Sequence, residues 1–258
     1  SPAGFLEIYQ LDVGQGDAML LKMPGGEQIL IDGGPDNRVI GQIDKFMPFY
    51  DKTIELVILT HPDKDHITGL IEILKRYKVK TILETGIQCG KSECSAWEEY
   101  KKEEGSEIIF ARLGQAIDFG GAAKLYVLHP FENLNGQKIS KPNNASIVSR
   151  LVFKDFSLVL TGDAEKNIEE KLVSSEIILD SDVLKAGHHG SKTSTIEEFL
   201  KEISPNIVLI SVGKDNSYGH PHQEVLQRLE KSGIKYYRTD LYGSIKIISN
   251  GAEYYEEK

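Results

Sequence analysis

Cysteine is scarce in this chain of 258 residues, which contains only Cys89 and Cys94. Both lie in the stretch "QCGKSEC", and no further cysteine or histidine lies close enough in sequence to complete a zinc knuckle with them. Two interpretations of the pair stay open. The thiols form a local disulfide, as in an exported protein, or they are both free.

Basic residues are also in deficit. Lysine and arginine number 30 against 39 aspartates and glutamates, which gives a formal net charge of -9 at pH 7. This balance argues against a generic basic surface for gripping nucleic acid. Bound divalent metal ions would, however, add positive charge locally.

Long apolar runs are missing as well. No stretch approaches the roughly 18 apolar residues of a transmembrane helix, and no signal-peptide pattern is present. Residues 1–4, "SPAG", are interpreted as a cloning remnant or a cut end, so we expect the chain to be a domain excised from a longer protein or a free-standing one. Its length and hydrophobic content of 40% suit one large core, and allow one domain or two.

Strand and helix patterns alternate along the chain in two halves of similar order. Each half begins with strands separated by glycine turns and continues with strand–helix units. This order predicts an α/β protein with two sheets packed face to face and helices outside. Helices are predicted at 37–46, 67–77, 95–104, 164–173, 194–202 and 222–232, and the tail at 253–258 is predicted to be a fraying or edge element.

The stretch "HPDKDH", residues 61–66, lies between a predicted buried strand and a predicted amphipathic helix. On an extended turn, His61 and Asp63 can point to one side, and Asp65 with His66 can present a second pair of donors at the helix entrance. Nitrogen and oxygen donors without sulfur suit one or two divalent ions. The alternative is that Asp65 caps the helix, but one cap does not explain two histidines around two aspartates.

Two further segments place polar side chains after strands. Asp163 in "LTGD" could cap the following helix, which is the better interpretation of it alone, or bridge two metal ions through its two oxygens. His188 and His189 in "KAGHHGS" are adjacent, and two neighbouring histidines are seldom both buried, because each ring nitrogen needs a partner. We interpret them as ligands or general acids.

All the histidines follow strand ends, and none lies inside a predicted helix. They are His61, His66, His129, His188, His189, His220 and His222. One shared site at the strand ends would explain this placement. Of His220 and His222 we expect one ligand and one surface residue, and His129 is ambiguous.

A series of segments in fixed order carries a resemblance to a known family. They are "LDVGQGDAMLL", "ILIDGG", "LTHPDKDHITGL", "NNASIVSRL", "LTGDAE", "VLKAGHHGSKTS", "SVGKDNSYGHPH" and "RTDLYGSIKI", covering about residues 11–248. The chain resembles the metallo-β-lactamase fold superfamily, and within it is most similar to the C-terminal nuclease-type domains of ComEC competence proteins. The resemblance implies one domain over residues 5–258, with a four-layer αββα sandwich of two mixed β-sheets flanked by helices and a dinuclear site between the sheets.

The resemblance also implies roles for individual residues. The implied metal ligands are His61, Asp63, Asp65, His66, Asp163 as the bridge, and His220 as the last ligand. The implied catalytic residues are His188, His189 and Asp65, one of the two histidines also touching metal. The implied substrate-binding residues are Asn144, Ser191 and Lys192, with a solvated side chain as the alternative for Lys192. Asp32 matches an aspartate that orients ligands without touching metal.

Two departures from the superfamily pattern affect the expected metal. Asp63 stands in place of the second signature histidine, and Asn143–Asn144 stand where many members carry a third-motif histidine. Oxygen donors in place of nitrogen favour harder ions, so of the two expected divalent ions Mn²⁺ is favoured, with Mg²⁺ or Zn²⁺ as alternatives. A lactamase, which needs a histidine-rich zinc site, becomes less plausible.

The resemblance implies a manganese-dependent DNA nuclease, a phosphodiesterase acting on single- or double-stranded DNA during uptake for natural transformation. It also implies an extracytoplasmic location and a membrane DNA-uptake channel absent from this chain, and we expect a monomer. The alternative is a hydrolase of small phosphodiesters or lactones with no role on DNA. A non-enzymatic scaffold would lack ligands, whereas nearly the whole set is present here.

Overall fold

The computed structural model describes residues 4–257, so the interpretation of residues 1–4 falls mostly outside the described part. The first half contains strands β1 Leu6–Gln10, β2 Met19–Lys22, β3 Gln28–Ile31, β4 Thr53–Ile58, β5 Lys78–Glu84 and β6 Glu107–Phe110, with helices α1 Arg38–Phe46, α2 Lys64–Leu74 and α3 Ser92–Glu104. The second half contains β7 Ala116–Asp118, β8 Ala123–His129, β9 Val148–Phe153, β10 Phe156–Leu160, β11 Val183–Lys185, β12 Ile207–Ile210, β13 Lys235–Arg238, β14 Ile245–Ser249 and β15 Tyr254–Glu257. Its helices are α4 Lys166–Val173, α5 Glu197–Ile203, α6 Gln223–Lys231 and α7 Thr239–Tyr242, with 3₁₀ turns at Pro142–Ala145 and Gly187–Gly190.

The strands form two mixed sheets. The first has the order β15-β14-β1-β2-β3-β4-β5-β6, and the second has the order β13-β12-β11-β10-β9-β8-β7. In the first sheet β3 to β6 run parallel, and in the second β10 to β13 run parallel, while the remaining neighbours are antiparallel. The C-terminal tail pairs with β14 as an edge strand, as one of its two predicted forms.

Three buried clusters hold four layers together. The central cluster joins the inner faces of both sheets, with Leu21 and Ile31 of the first facing the interior shared with Leu158 and Leu209 of the second. A second cluster packs α1, α2 and α3 on the outer face of the first sheet, and a third packs α4, α5 and α6 on that of the second. Burial of this apolar surface is the main stabilising term, and the predicted αββα arrangement is confirmed.

Helix α2 begins earlier than predicted. It starts at Lys64 rather than residue 67 and has Asp63 at its N-cap position, so Asp65 and His66 lie inside the first turn. The alternative in which Asp65 caps this helix is therefore excluded, and His66, which lay outside the predicted helix, lies inside the observed one. The first turn tolerates polar residues because its N–H groups have no intrahelical acceptor, and the apolar periodicity begins only at Ile67.

The two cysteines are joined. A disulfide links Cys89 to Cys94, whose Cα atoms lie 6.0 Å apart, in the loop between β5 and α3. Of the two interpretations left open by the sequence, the structure has the disulfide. None of the helices over residues 4–257 is long and apolar enough to cross a bilayer.

Candidate metal centre

The predicted site residues meet at one edge of the molecule. Asp32 directly follows β3. His61 lies three residues after the end of β4, the strand next to β3 in the same sheet. Asp163 and His189 follow β10 and β11 of the other sheet. Because the carboxyl ends of neighbouring parallel strands lie at the same edge of a sheet, the loops that follow these strands in both sheets lie around a common space.

Four side chains form the largest donor group in the described part of the chain. Each of Asp65, His66, Asp163 and His189 offers one ligand atom, and these atoms lie within 4.8 Å of one another. The Nε2 atom of His66 is 3.3 Å from Oδ2 of Asp163, and Nε2 of His189 is 3.2 Å from Oδ2 of Asp65. Two imidazole nitrogens and two carboxylates within this distance suit a divalent ion.

A second donor pair lies on the other side of Asp163. The Nε2 atom of His61 is 3.7 Å from Oδ2 of Asp63 and 3.9 Å from Oδ2 of Asp163. Asp163 is buried and central, because its Oδ2 also lies 3.5 Å from Nε2 of His189. One carboxylate thus faces both donor groups, which is the arrangement expected of a bridging aspartate.

Unpaired polar atoms test whether these residues fit a metal. The Nε2 atoms of His61 and His66 and the Oδ1 atom of Asp163 are buried and have no hydrogen-bond partner among the described residues. Leaving a buried polar atom unpaired is costly, and native proteins seldom do so. Three such atoms converging on one space fit a bound cation.

Hydrogen bonds behind the centre orient its histidines. Nδ1 of His66 lies 2.8 Å from Oδ2 of Asp32. Asp32 also accepts hydrogen bonds from the backbone N–H and the hydroxyl of Thr60, at 2.9 and 2.7 Å. Nδ1 of His61 lies 3.1 Å from the same hydroxyl. With Nδ1 engaged in this way, Nε2 faces the centre, as is usual for metal-binding histidines.

The carboxylates make the centre attractive to positive charge. Burial alone would lower the pKa of His189, but the carboxylates of Asp163 and Asp17 raise that pKa to about 10. Burial likewise opposes the charged form of His66, yet Asp163 and Asp32 hold its pKa well above the ordinary value. The pKa of His61 shifts in the opposite direction, because burial and the neighbouring His66 lower it to about 4. The net effect is a buried cluster in which the negative carboxylates favour positive charge.

A buried ion pair that the sequence analysis missed supports His189. Oδ1 of Asp17 lies 3.2 Å from Nδ1 of His189, and the other oxygen of Asp17 pairs with the ammonium of Lys185. Lys185 also donates to the carbonyl of Gly162, beside Asp163, at 3.1 Å. Burial would raise the pKa of Asp17, but the charges of Lys185 and His189 hold it below its ordinary value. The sequence feature that could have indicated this ion pair is the lysine at the end of the otherwise apolar strand in "DVLK".

The centre opens into a cavity of about 150 Å³. The residues lining it are Gln15, Asp63, Asp65, Asn143, Asp163, His188, His189, Tyr218 and His220. A larger cavity of about 380 Å³ lies beside Trp97, but it is lined by no histidine and so offers no comparable donor set.

The adjacent histidines take different places because of their backbone. His188 and His189 have φ values of 47° and 55°, a left-handed conformation that is uncommon outside glycine. His189 is buried in the donor group, whereas His188 lies at its mouth, with Nε2 3.8 Å from Oδ2 of Asp163 and Nδ1 3.5 Å from Oε1 of Glu165. Strain of this kind clusters at functional sites.

His220 lines the cavity but lies outside the donor group that contains His189, so its assignment as the last ligand stays a prediction. The His220 ring lies 6.2 Å from the His189 ring, and its Nδ1 is buried without a partner in the described chain.

His222 accepts a hydrogen bond from the backbone N–H of Lys192 at 3.2 Å. Burial lowers the pKa of His129 to about 4, and its Nδ1 lies 2.8 Å from the carbonyl of Ser146, outside the donor group.

The expected phosphate contacts are placed differently from the prediction. Asn143, rather than Asn144, lines the cavity, and the amide oxygen of Asn144 is buried without a partner in the described chain. Ser191 is buried against Thr193, and Lys192 is exposed beyond the cavity lining. Asp63 lies at the rim, where Lys91 of the disulfide loop donates to it at 2.6 Å.

Glu169 anchors the segment that follows the paired histidines, and its titration gives a testable pH dependence. Burial raises its pKa to about 7 against an ordinary 4.5, although it accepts hydrogen bonds from the N–H groups of Thr195 and Ile196 at 2.6 and 2.9 Å. Between these pH values the folded chain holds a proton that the unfolded chain has lost. The free energy of unfolding that Glu169 contributes therefore falls as the pH rises through this range, by up to about 3 kcal/mol.

Urea unfolding near pH 5 and near pH 7 measures this dependence. Glu169→Gln, which does not titrate, is expected to flatten it, whereas Glu170→Gln on the solvent side of α4, whose charge is only a minor cause of the raised pKa, should change it little. Equal pH dependence in wild type and Glu169→Gln would contradict the assignment.

Comparisons with known proteins agree with this geometry. Residues 11–214 match the family model described as the metallo-beta-lactamase superfamily. The chain is 33% identical over 257 residues to ComE operon protein 3 of Bacillus subtilis, covering 93% of this chain and 32% of that protein. It is 30% identical over 239 residues to competence protein ComA of Neisseria gonorrhoeae, covering 92% of this chain and 31% of that protein. The chain thus spans about a third of the length of these curated relatives.

Among solved structures, the metallo-beta-lactamase fold protein YhfI from Bacillus subtilis aligns with a TM-score of 0.61 at 11% identity. The alignment covers 98% of this chain and 100% of that one. At this identity the likeness concerns the fold alone.

Proposed function

This chain belongs to the metallo-beta-lactamase superfamily, and from that membership we propose that it is a metal-dependent phosphodiesterase that cleaves DNA. Its fold and donor set are those of a metal-dependent hydrolase. The observation that carries the proposal is the convergence of Asp65, His66, Asp163 and His189 on one space, with His61 and Asp63 across Asp163.

Two groups of residues would hold the ions. Asp65, His66 and His189 form one group, His61 and Asp63 form the other, and Asp163 is shared between them. Divalent ions bound there would supply a water of lowered pKa and neutralise charge on the phosphate oxygens. Three oxygen-donating aspartates favour Mn²⁺ or Mg²⁺ over Zn²⁺, and Mn²⁺ is proposed.

His188 is the proposed proton donor. Glu165 lies 3.5 Å from its Nδ1, which leaves Nε2 directed to the cavity near Asp163. From Nε2 a proton can pass to the leaving oxygen of the ester. Asn143, whose Nδ2 lies 3.5 Å from Nδ1 of His188, is the proposed contact to the phosphate in place of Asn144.

DNA is proposed as the substrate because the relatives carry competence-related names. An extracytoplasmic location is proposed with it, and the Cys89–Cys94 disulfide supports that location, since disulfides persist in oxidising compartments. Association with a membrane DNA-uptake channel and a monomeric state are proposed on the same basis.

Digestion of end-labelled single- and double-stranded DNA tests the function, in Mn²⁺, Mg²⁺, Zn²⁺ or EDTA. Cleavage is expected in Mn²⁺ and lost in EDTA and in Asp65→Ala, because Asp65 belongs to the donor group. Asp180→Ala, at an exposed position beside the opposite ends of the strands, is the matched control and should keep activity. Intact DNA in every metal, together with Mn²⁺ binding by calorimetry, would exclude the nuclease and direct the search to chromogenic small phosphodiesters or lactones.

A further inference from the structure

An exposed tyrosine stands at the rim of the cavity. Tyr218 lines the same cavity as Asp63 and Asp163, yet 66% of its surface is exposed. Its ring lies against that of His220, with centroids 5.7 Å apart and an angle of 22° between the planes. One face of the ring is thus turned toward an imidazole, and most of the ring surface is accessible.

The loop that carries Tyr218 is braced by one side chain. The amide of Asn216 donates to the carbonyls of Gly213 and His220, at 3.0 and 2.7 Å. Its oxygen accepts hydrogen bonds from the backbone N–H groups of Tyr218 and His220, at 3.2 and 3.0 Å. Because both ends of the turn are tied to Asn216, the tyrosine is held in place before any substrate arrives, which lowers the entropic cost of using it.

A row of rings connects Tyr218 to the donor group. The His220 ring lies 5.5 Å from the His188 ring, and Nε2 of His188 lies 3.8 Å from Asp163. Two imidazoles therefore separate Tyr218 from the position at which a phosphate would react. A group stacked on Tyr218 would belong to the same small stretch of substrate as that phosphate.

The cavity offers little charge attraction for a polyanion. Its lining, within the described residues, includes no lysine or arginine, and the chain carries a net charge of -9. Apart from the ions proposed for the centre and Lys91, which is paired with Asp63 at the rim, contacts to a nucleic acid here would come from uncharged groups. Stacking on an aromatic ring is the sequence-tolerant contact by which proteins hold unpaired bases.

We propose that Tyr218 is a stacking platform for an unpaired nucleobase next to the scissile phosphate. The site therefore takes single-stranded DNA or a frayed end, because a paired base has both faces covered by its neighbours. This inference rests on the proposed nuclease function and names its substrate class.

Kinetics on a fluorescein-labelled oligothymidylate test the platform. Tyr218→Ala is expected to increase KM by a factor of about 5 to 100 and to change kcat little. The reason is that stacking holds the base equally well in the ground state and in the transition state. Tyr218→Phe keeps the ring and should behave as wild type. Tyr255→Ala removes another exposed tyrosine, on β15, which is 51% exposed, and serves as the control.

The same strand with abasic sites isolates the base contact. On it, wild type and Tyr218→Ala are expected to have the same KM. An unchanged KM for Tyr218→Ala on the base-bearing strand, or an equal rise on both strands, would overturn the inference.

A binding measurement separates failure of the platform from failure of the nuclease. Fluorescence anisotropy of the labelled oligothymidylate in EDTA needs no cleavage, and Tyr218→Ala is expected to weaken binding by a factor in the same range. If wild type cleaves no DNA, the nuclease function fails, while this anisotropy difference still supports the platform. No difference in binding between wild type and Tyr218→Ala overturns the platform whatever the activity.

Discussion

Asp163→Asn is expected to reduce metal-dependent hydrolysis at least about a thousandfold. The reason is its position, since Oδ2 of Asp163 lies within 3.9 Å of Nε2 of His61 and 3.3 Å of Nε2 of His66. Metal ions contribute several kcal/mol to hydrolytic transition states, and each 1.36 kcal/mol is tenfold in rate. Asparagine keeps the shape of the side chain but removes the charge that faces both donor groups.

Asp63→Asn is the matched comparison for this variant. Asp63 lies only on the His61 side of the centre, at the rim, so its loss is expected to weaken one ion and spare the other. Calorimetry with Mn²⁺ should therefore show two sites in wild type, one weakened site in Asp63→Asn and two weakened sites in Asp163→Asn. Wild-type stoichiometry and affinity in Asp163→Asn would show that this carboxylate is not shared.

Thermal unfolding gives a second measurement that does not depend on the substrate. A ligand that binds only the folded state raises its stability by RT ln(1 + [L]/Kd). Added Mn²⁺ should raise the Tm of wild type and of Asp180→Ala, and raise that of Asp163→Asn much less. Equal shifts in all three proteins would place the bound metal elsewhere.

The fold was predictable because its signals are local. β6, β10 and β13 show this, since each is a short run rich in β-branched or aromatic residues between turns. Strand β7 was missed because three residues are too few to show an alternating pattern, and α7 was missed because four residues show no helical period. The start of α2 was misplaced because its first turn is polar.

The site was predictable as a set but not in its assignments. The motif "HPDKDH" places four donors in six residues, which spacing alone reveals. Which of His188 and His189 turns inward depends on two left-handed residues, and no sequence pattern shows that conformation in histidine.

Contacts between distant segments were the least predictable. The disulfide loop illustrates this, because it brings Lys91 to Asp63 and sets Sγ of Cys94 3.8 Å from the carbonyl of Pro62. The spacing of the two cysteines allowed a bridge but could not show what the bridged loop touches. The loop closed by the disulfide thus braces the segment that presents His61 and Asp63.

The pair formed by Asp17 and Lys185 is the other long-range contact that the sequence did not reveal, and its loss has the largest expected effect on stability. Both residues are 4% exposed, and the ammonium is also tied to the carbonyl of Gly162. Lys185→Met leaves the Asp17 carboxylate buried without its cation. Breaking a buried pair on one side costs about 3–5 kcal/mol, and urea unfolding measures it against Lys201→Met, an exposed lysine on α5.

The double variant Asp17→Asn/Lys185→Met separates structure from function. Removing both charges is expected to restore most of the lost stability, because no buried charge is left unpaired. Metal affinity is expected to stay about 10- to 100-fold below wild type, since the neutral amide would no longer hold a negative charge 3.2 Å from Nδ1 of His189. Recovery of both stability and Mn²⁺ affinity in the double variant would mean that the pair only fills space, whereas recovery of stability alone shows that it positions His189.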